Sequence, residues 1–518
     1  MQQRVLQMND ASAAADSSFR GTFFGDPHAQ TSGLHPSDKT LMPRRPMTST
    51  TQAAEANFMT KQTLGNHAIV IGGSIAGLMT ARVLADHFDK VTVIERDEPN
   101  LVRPEMRKGT PQAAHYHVLL QGGLSLLTEL FPGFVDRLNS LGSRSTRAVR
   151  DIAYHTPIGI AHSQSGSVKL PRDLGYNVQC QSRPLLEFCI RACALEAPNI
   201  SIRFGTVVNA LIHEAGRVCG VRLGSAEGDA ALEADFVIDA GGRGARTPRW
   251  LMDLGYEAPE ETRLMCDLAY SSIKVRIPEK YRDWPYNLNV FYPPLPNKTG
   301  AMMHHIEDGL WHLSLEGRLG AYPPKDAEGF MEFARTFYTP SLYEMVKDAE
   351  HVTDVAHFHF HYSLLRHYER LQRFPDGLLV IGDSICSVNP VHGQGMSSSA
   401  LQVRVLRSLI DECRAAGRGL EGMAPAFFAR AAQAVQQPWM LAALKDFQFE
   451  GTPGERPEGF ENIVHYIGAI EALIGDDAEL HQAVSDVMHL IAPMDTLFQE
   501  PWKGRVEAHL AAAAQVAA

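Results

Sequence analysis

Two glycine-bearing turns hold the residues best suited to chemistry. The first reads Gly72-Gly73-Ser74-Ile75-Ala76-Gly77 and is followed by Glu95. The second reads Gly382-Asp383, then Pro390, then Gly393-Gln394-Gly395-Met396-Ser397. Glycine lets the chain turn tightly and lets a ligand lie against bare backbone. A helix that opens after such a turn presents N–H groups with no partner inside the helix, and a partial positive charge, so it binds anions such as phosphate. A carboxylate one strand further on accepts hydrogen bonds from sugar hydroxyls. The expected chemistry is the holding of a phosphate- and sugar-bearing molecule at the first turn, with charge stabilised by peptide N–H groups at the second.

The flanking elements make this reading specific. His67-Ala68-Ile69-Val70-Ile71 is a continuous apolar run, typical of a strand buried on both faces. Gly77, Ala81, Leu84, Ala85 and Phe88 follow at helical spacing, and Lys90-Val91-Thr92-Val93-Ile94 leads into Glu95. Strand, glycine turn, helix, strand and acid form a dinucleotide-binding unit. Ser74 stands at the middle glycine position, small enough to admit a phosphate and with a hydroxyl able to donate to it. Glu95 would repel a 2′-phosphate, which leaves FAD or NAD as the tightly held molecule. The second turn selects FAD. It follows the buried-strand texture of Gly377-Leu378-Leu379-Val380-Ile381 and opens a long helix, and a flavin with its ribityl linker and ring needs such an element where NAD does not.

At 518 residues the chain exceeds the roughly 250–300 at which single cores stop growing, so several packed units are expected. The predicted class is α/β. A Rossmann-like FAD-binding domain at 63–267 and 366–435 is interrupted by an antiparallel β-sheet substrate domain at 268–365 and followed by a C-terminal helical region at 436–518. Residues 1–62, rich in Ser, Thr, Ala, Gln and Pro, read as a disordered N-terminal extension. The insert shows alternating runs such as Tyr270–Arg276 and Leu310–Leu315, expected to form a sheet with one wet face. Forty-eight basic against 59 acidic residues give a net charge of −11, which argues against a nucleic-acid partner. No apolar run reaches the roughly 20 residues of a bilayer span. The seven cysteines lack any C-x-x-C pair and read as small buried residues of a reduced, cytoplasmic protein.

Other residues carry open readings. Arg107, Arg183 and Arg243 are either cofactor contacts or ordinary ion-pair residues. Phe291, Met302, Met303 and Trp311 are either an apolar substrate wall or the packing of the inserted sheet. His357, His359 and His361 share one face of a strand; with no carboxylate or cysteine pattern near them, a metal site is not expected, and they read as a polar face or a pocket wall.

With these motifs in place the chain resembles the FAD-dependent monooxygenases of the para-hydroxybenzoate hydroxylase-like superfamily. Within it the chain is most similar to the polyether (lasalocid and monensin) polyene epoxidase branch, and more distantly to squalene epoxidase. Besides the two turns, Arg107-Lys108-Gly109-Thr110-Pro111-Gln112 with His115 and His117 carries the likeness, as do Cys180–Leu186, Phe236–Gly244 and His367–Leu371. The resemblance implies that Gly72, Ser74 and Gly77 hold the pyrophosphate, Glu95 the adenosine ribose, and Arg107 and Arg183 the phosphate or ribityl groups. It implies Asp383 on the ribityl chain and Gly393, Gly395 and Met396 against the isoalloxazine. Gly73, Ala76, Arg96, Val208, Asp239, Gly382 and Pro390 complete the cofactor-contacting set. It further implies NAD(P)H as a transient electron donor or a separate flavin reductase, and O₂ captured as a C4a-(hydro)peroxyflavin. The product would be an epoxide or hydroxylated form of an apolar polyene, polyketide, isoprenoid or aromatic, as in secondary metabolism. Since that chemistry is centred on the flavin, no side chain is expected to act as catalytic acid, base or nucleophile. The competing readings are a prenyl-chain or alkene reductase, a flavin-dependent halogenase, and a non-enzymatic flavin-binding partner.

Overall fold

The computed structural model describes residues 63–517 except 226–227 and 293; the extension expected at 1–62 lies outside the described residues. In chain order, the elements that place the site begin with β1 (Gly65–Ile71), α1 (Ile75–Ala85), β2 (Phe88–Ile94), β3 (Ile152–Thr156) and β4 (Gly159–Ala161). Then come α2 (Arg183–Ala194), β5 (Ile200–Arg203), β6 (Phe236–Asp239), β7 (Glu260–Arg276), β8 (Leu288–Phe291), β9 (Thr299–His305) and β10 (Trp311–Arg318). The rest are α3 (Ala327–Arg335), α4 (Ser341–Val346), β11 (Ala356–His367), β12 (Leu378–Val380), β13 (Cys386–Ser387), α5 (Gly395–Ala415) and α6 (Met423–Asp446). Three helices follow, Phe460–Leu473, Ala478–Met488 and Trp502–Ala517.

β12, β6, β1, β2 and β5 form a parallel sheet in that order. Parallel strands are covered on both faces, and Ile69, Val70, Val93 and Val237 are accordingly sealed from solvent. Gly72 takes φ +101° at the exit of β1, a conformation that few side chains tolerate. A Cβ on Gly77 would sit 1.8 Å from the Gly72 carbonyl oxygen, so only glycine lets α1 start this close to the turn. β12 pairs with β6 across the whole insert, completing the sheet from a distant part of the chain.

The second sheet has nine strands, in the order β13-β11-β7-β10-β9-β8-β3-β4, with Glu350–His351 pairing to β7. Its pairs are antiparallel except β8 with β3. Three expectations are corrected here. The sheet draws β3 and β4 from inside the segment assigned to the FAD-binding domain, because Ile152 buries its side chain with Leu288 and Val290. The division at 435/436 falls inside α6, which continues through Pro438 as one helix. The sheet also has no wet face along β10, whose eight residues are all buried. Phe330 and Ala334 of α3 with Leu342, Met345 and Val346 of α4 cover one face, packing on Val275, Trp311, Leu313 and Leu315. Neither helix was expected in the β-rich segment. The opposite face looks toward the loop after Thr110, where His312 Nε2 lies 3.0 Å from the Ala114 carbonyl oxygen.

All seven cysteines are free thiols, six of them buried. Among the described residues no helix is long and apolar enough to cross a membrane.

Candidate cofactor and substrate cavity

A single cavity of about 840 Å³ runs from the N-terminus of α1 to that of α5 and onto the inner face of the nine-stranded sheet. That volume lies within the usual range for cofactor and drug-sized ligands. Gly72, Ser74, Ala76, Glu95, Arg96, Arg107 and Arg183 line it at the α1 end, with Val208 beside them. Asp239, Asp383, Pro390, Gly393, Gly395 and Met396 line it toward α5. Three of the expected residues sit behind the wall. Gly73 donates its N–H to Glu95 Oε2 at 2.8 Å and so holds that carboxylate in place. Gly77 packs on the Gly72 carbonyl. Gly382, at φ +74°, lies so close to α1 that a Cβ would stand 2.9 Å from Ala76 Cβ, which brings the two turns together.

At the α1 end the charges are arranged around Glu187. Its carboxylate accepts from Arg107 Nε at 2.7 Å, Arg191 Nη2 at 2.6 Å and Ser74 Oγ at 3.0 Å, and pairs with Arg183 Nη1 at 3.1 Å. Arg183 Nη2 in turn donates to Ser74 Oγ at 2.9 Å. The Ser74 hydroxyl, expected to face a phosphate, is therefore tied to Glu187 and Arg183. Burial alone would raise the Glu187 carboxyl, but Arg183, Arg107 and Arg191 outweigh it and hold it down at about 2. Arg107 also reaches Glu95 at 3.1 Å and Asp97 at 3.0 Å. The ion-pair reading of Arg107 and Arg183 thus holds together with a place on the cavity wall. Arg243 lies over the Phe360 and Tyr362 rings at 5.0 and 4.6 Å and donates to the Tyr362 carbonyl oxygen at 2.9 Å.

At the α5 end, Asp383 has its carboxyl raised to about 6 by burial, with Arg243 and Arg183 opposing. Asp239 is also raised by burial, against hydrogen bonds from Thr247 and Gly241. The loop before α5 is anchored from below. Asp446 on α6 accepts from Asn389 Nδ2 at 2.8 Å, meets His392 Nε2 at 3.1 Å and pairs with buried Arg318 at 3.4 Å. A Cβ added at Gly393 or Gly395 would meet no protein atom, so bare backbone faces the cavity there.

The set fits FAD. Helix N-termini with free peptide N–H groups stand at both ends, cations sit beside α1, and Glu95 and Asp383 supply carboxylates able to accept from sugar and polyol hydroxyls. The same cavity is also lined by Tyr116, Tyr270, Phe358, Phe360 and Tyr362 together with His115 and His117. His115 Nδ1 lies 2.8 Å from Ser272 Oγ, and its ring packs edge-on to Tyr270 at 4.7 Å. Burial, and then His357, lower His115 to about 4, so its imidazole is neutral near pH 7. Phe291, Met303 and Trp311 are not on this wall. They point to the other face of the sheet, into the core under α3 and α4. Met302, their neighbour, packs near Val118 and Val290. The aromatic wall passed over in the sequence was signalled by Phe358, Phe360 and Tyr362, which alternate with the histidines of β11.

The family model described as "FAD binding domain" matches residues 66–420. "Protein Rv3254" of Mycobacterium tuberculosis (strain ATCC 25618 / H37Rv) is 32% identical over 421 residues, covering 78% of this chain and 86% of that protein. The "6-methylpretetramide 4-monooxygenase" of Streptomyces rimosus is 25% identical over 346 residues, 63% of this chain and 71% of the relative. Among solved structures, the flavin-dependent brominase Bmp2 superposes with a TM-score of 0.61 at 14% identity, over 86% of this chain and 99% of that one. At that identity the likeness concerns the fold.

Proposed function

We propose that this chain, which belongs to the FAD binding domain family and is an FAD-dependent monooxygenase, hydroxylates a flat, conjugated aromatic molecule. The observation that carries this reading is the group of aromatic rings, Tyr116, Tyr270 and Phe358, that lines the same cavity as the cofactor positions. Aromatic side chains bind flat π-systems by offset and edge-on contacts worth about 0.5–1.5 kcal/mol each beyond the area they bury. The similarity to an enzyme named for oxygenating 6-methylpretetramide supports the same class.

FAD, when bound and reduced by NAD(P)H, would supply the electrons that activate O₂, one oxygen atom going to the substrate and the other to water. The chain's own residues do the rest. The amides at the start of α1, with Arg107 and Arg183, hold the pyrophosphate, and Glu95 and Asp383 hold the sugar and polyol hydroxyls. The N-terminus of α5, fixed from below by Asn389, His392 and Asp446, presents N–H groups where negative charge develops. The aromatic walls position the substrate and exclude water. Neutral His115, oriented by Ser272 at its Nδ1, hydrogen-bonds a substrate hydroxyl through its other ring nitrogen.

The test is FAD-loaded protein assayed for NADH and NADPH consumption with polycyclic phenols, with polyenes, and with a phenol plus bromide, under ¹⁸O₂. Stimulation by a phenol with one ¹⁸O in the product supports the reading. An epoxide formed only from polyenes would favour the polyether-epoxidase reading instead. A brominated product would make the enzyme a halogenase, and a colourless protein that takes up no FAD would remove the proposal altogether.

A further inference from the structure

We propose that Asp267, His359 and His361 form a binding site for one divalent transition-metal ion of the Zn²⁺, Co²⁺ or Ni²⁺ type, at the rim of the cavity. The sequence offers three histidines, His357, His359 and His361, on one strand face but no carboxylate near them. The structure supplies one from β7, more than ninety residues away. His359 Nε2 lies 2.9 Å from Asp267 Oδ1, and the His359 and His361 rings stand 4.0 Å apart. One ligand atom from each of the three residues falls within 4.8 Å of the other two. Two imidazoles and one carboxylate are a donor set that imidazole-preferring dications accept, with metal–ligand bonds of about 2.0–2.2 Å. His361 is exposed, so a rotation of its side chain closes the triad, and an ion enters from solvent.

The backbone is shaped for this juxtaposition. Between the pairs Met265↔Tyr362 and Leu268↔Phe360, two residues of β7 oppose one of β11, a β-bulge. Asp267 sits in that bulge at φ +41°, a conformation uncommon for a side-chain-bearing residue and one that concentrates at functional sites. Tyr322 fixes the carboxylate by donating to Asp267 Oδ2 at 2.7 Å, and its ring packs on His359 at 4.8 Å. An outer hydrogen bond that orients a ligating group is the usual accompaniment of a metal site. His359 and His361 also line the cavity, so the ion would tie β7 to β11 beside it.

The inference does not depend on the substrate proposed above, nor on FAD. Metal-free full-length protein is titrated with Co²⁺, read by its visible absorption, and Zn²⁺ is then used to displace it. One Co²⁺ per chain is expected, displaced stoichiometrically by Zn²⁺. His361→Ala, an exposed change that leaves the core intact, should weaken binding by about tenfold or more, and Asp267→Asn should do the same. His351→Ala, also exposed but outside the cluster, should leave the affinity unchanged. No saturable Co²⁺ binding, or binding that persists unaltered in His361→Ala, overturns the site. FAD content measured on the same samples separates this result from failure of the flavin reading.

Discussion

Replacing Glu187 by glutamine keeps the shape of the cluster at the α1 end and removes only its charge. Glu187 is 5% exposed and faces three guanidinium groups. A carboxyl held at about 2 in the folded chain against an ordinary 4.5 contributes on the order of 3 kcal/mol. That agrees with the roughly 3–5 kcal/mol lost when one partner of a buried ion pair is removed. Because the folded value is the lower one, the contribution is present above pH 4.5 and is lost as pH falls toward 2. Unfolding entropy of about 2.1 cal/mol/K per residue over roughly 450 described residues makes 3 kcal/mol a fall in Tm of about 3 °C at pH 7. In the FAD-loaded protein the pyrophosphate brings negative charge to Arg107 and Arg183, so the same substitution should cost less than half as much. The assay is thermal unfolding of both forms at pH 7. Equal losses with and without FAD would refute the view that these arginines face the pyrophosphate, and no loss in the FAD-free form would refute the electrostatic account of Glu187.

Gly77→Val should yield protein that retains no FAD, read as loss of the yellow absorbance after gel filtration, because its Cβ would overlap the Gly72 carbonyl. Asp383→Asn should stabilise the FAD-free protein, since a buried acid raised to about 6 imposes a cost on the order of 3 kcal/mol once ionised. That gain should be complete above pH 6 and shrink as pH falls toward 3.8, as urea midpoints measured across this range would report. Phe291→Ala should destabilise the fold by about 3–5 kcal/mol and leave the FAD dissociation constant unchanged, as its ring packs under α3 and α4.

The cofactor end was legible because it is local. Strand, turn, helix, strand and acid lie within about thirty consecutive residues of the dinucleotide-binding pattern, and Gly72, Gly77 and Glu95 each follow from backbone geometry. The α5 turn was legible for the same reason. The substrate end was not. Alternation shows that Trp311, Leu313 and Leu315 share one face of a strand and His312, Ser314 and Glu316 the other, but not which face meets the cavity. That choice was made by α3 and α4, whose short amphipathic stretches lie inside a segment of β texture. Asp267 was illegible because its neighbourhood depends on an extra residue in β7, and pairing register is not written in either strand alone. The rings of Phe358, Phe360 and Tyr362 share one face of β11 by alternation, but alternation does not say whether that face meets a cavity or a core.

The pairing of β12 with β6 sets an order of events during synthesis. Until the residues near 380 leave the ribosome, β6 is an unprotected border of the parallel sheet, with peptide groups open to any other strand. Ala76 likewise lacks its abutting turn at Gly382. At translation speeds of about 5–20 residues per second, that border stays open for many seconds while the whole insert is made. The nascent chain is therefore most exposed to mispairing before its last third emerges, and this is the interval in which chaperone assistance would raise its yield.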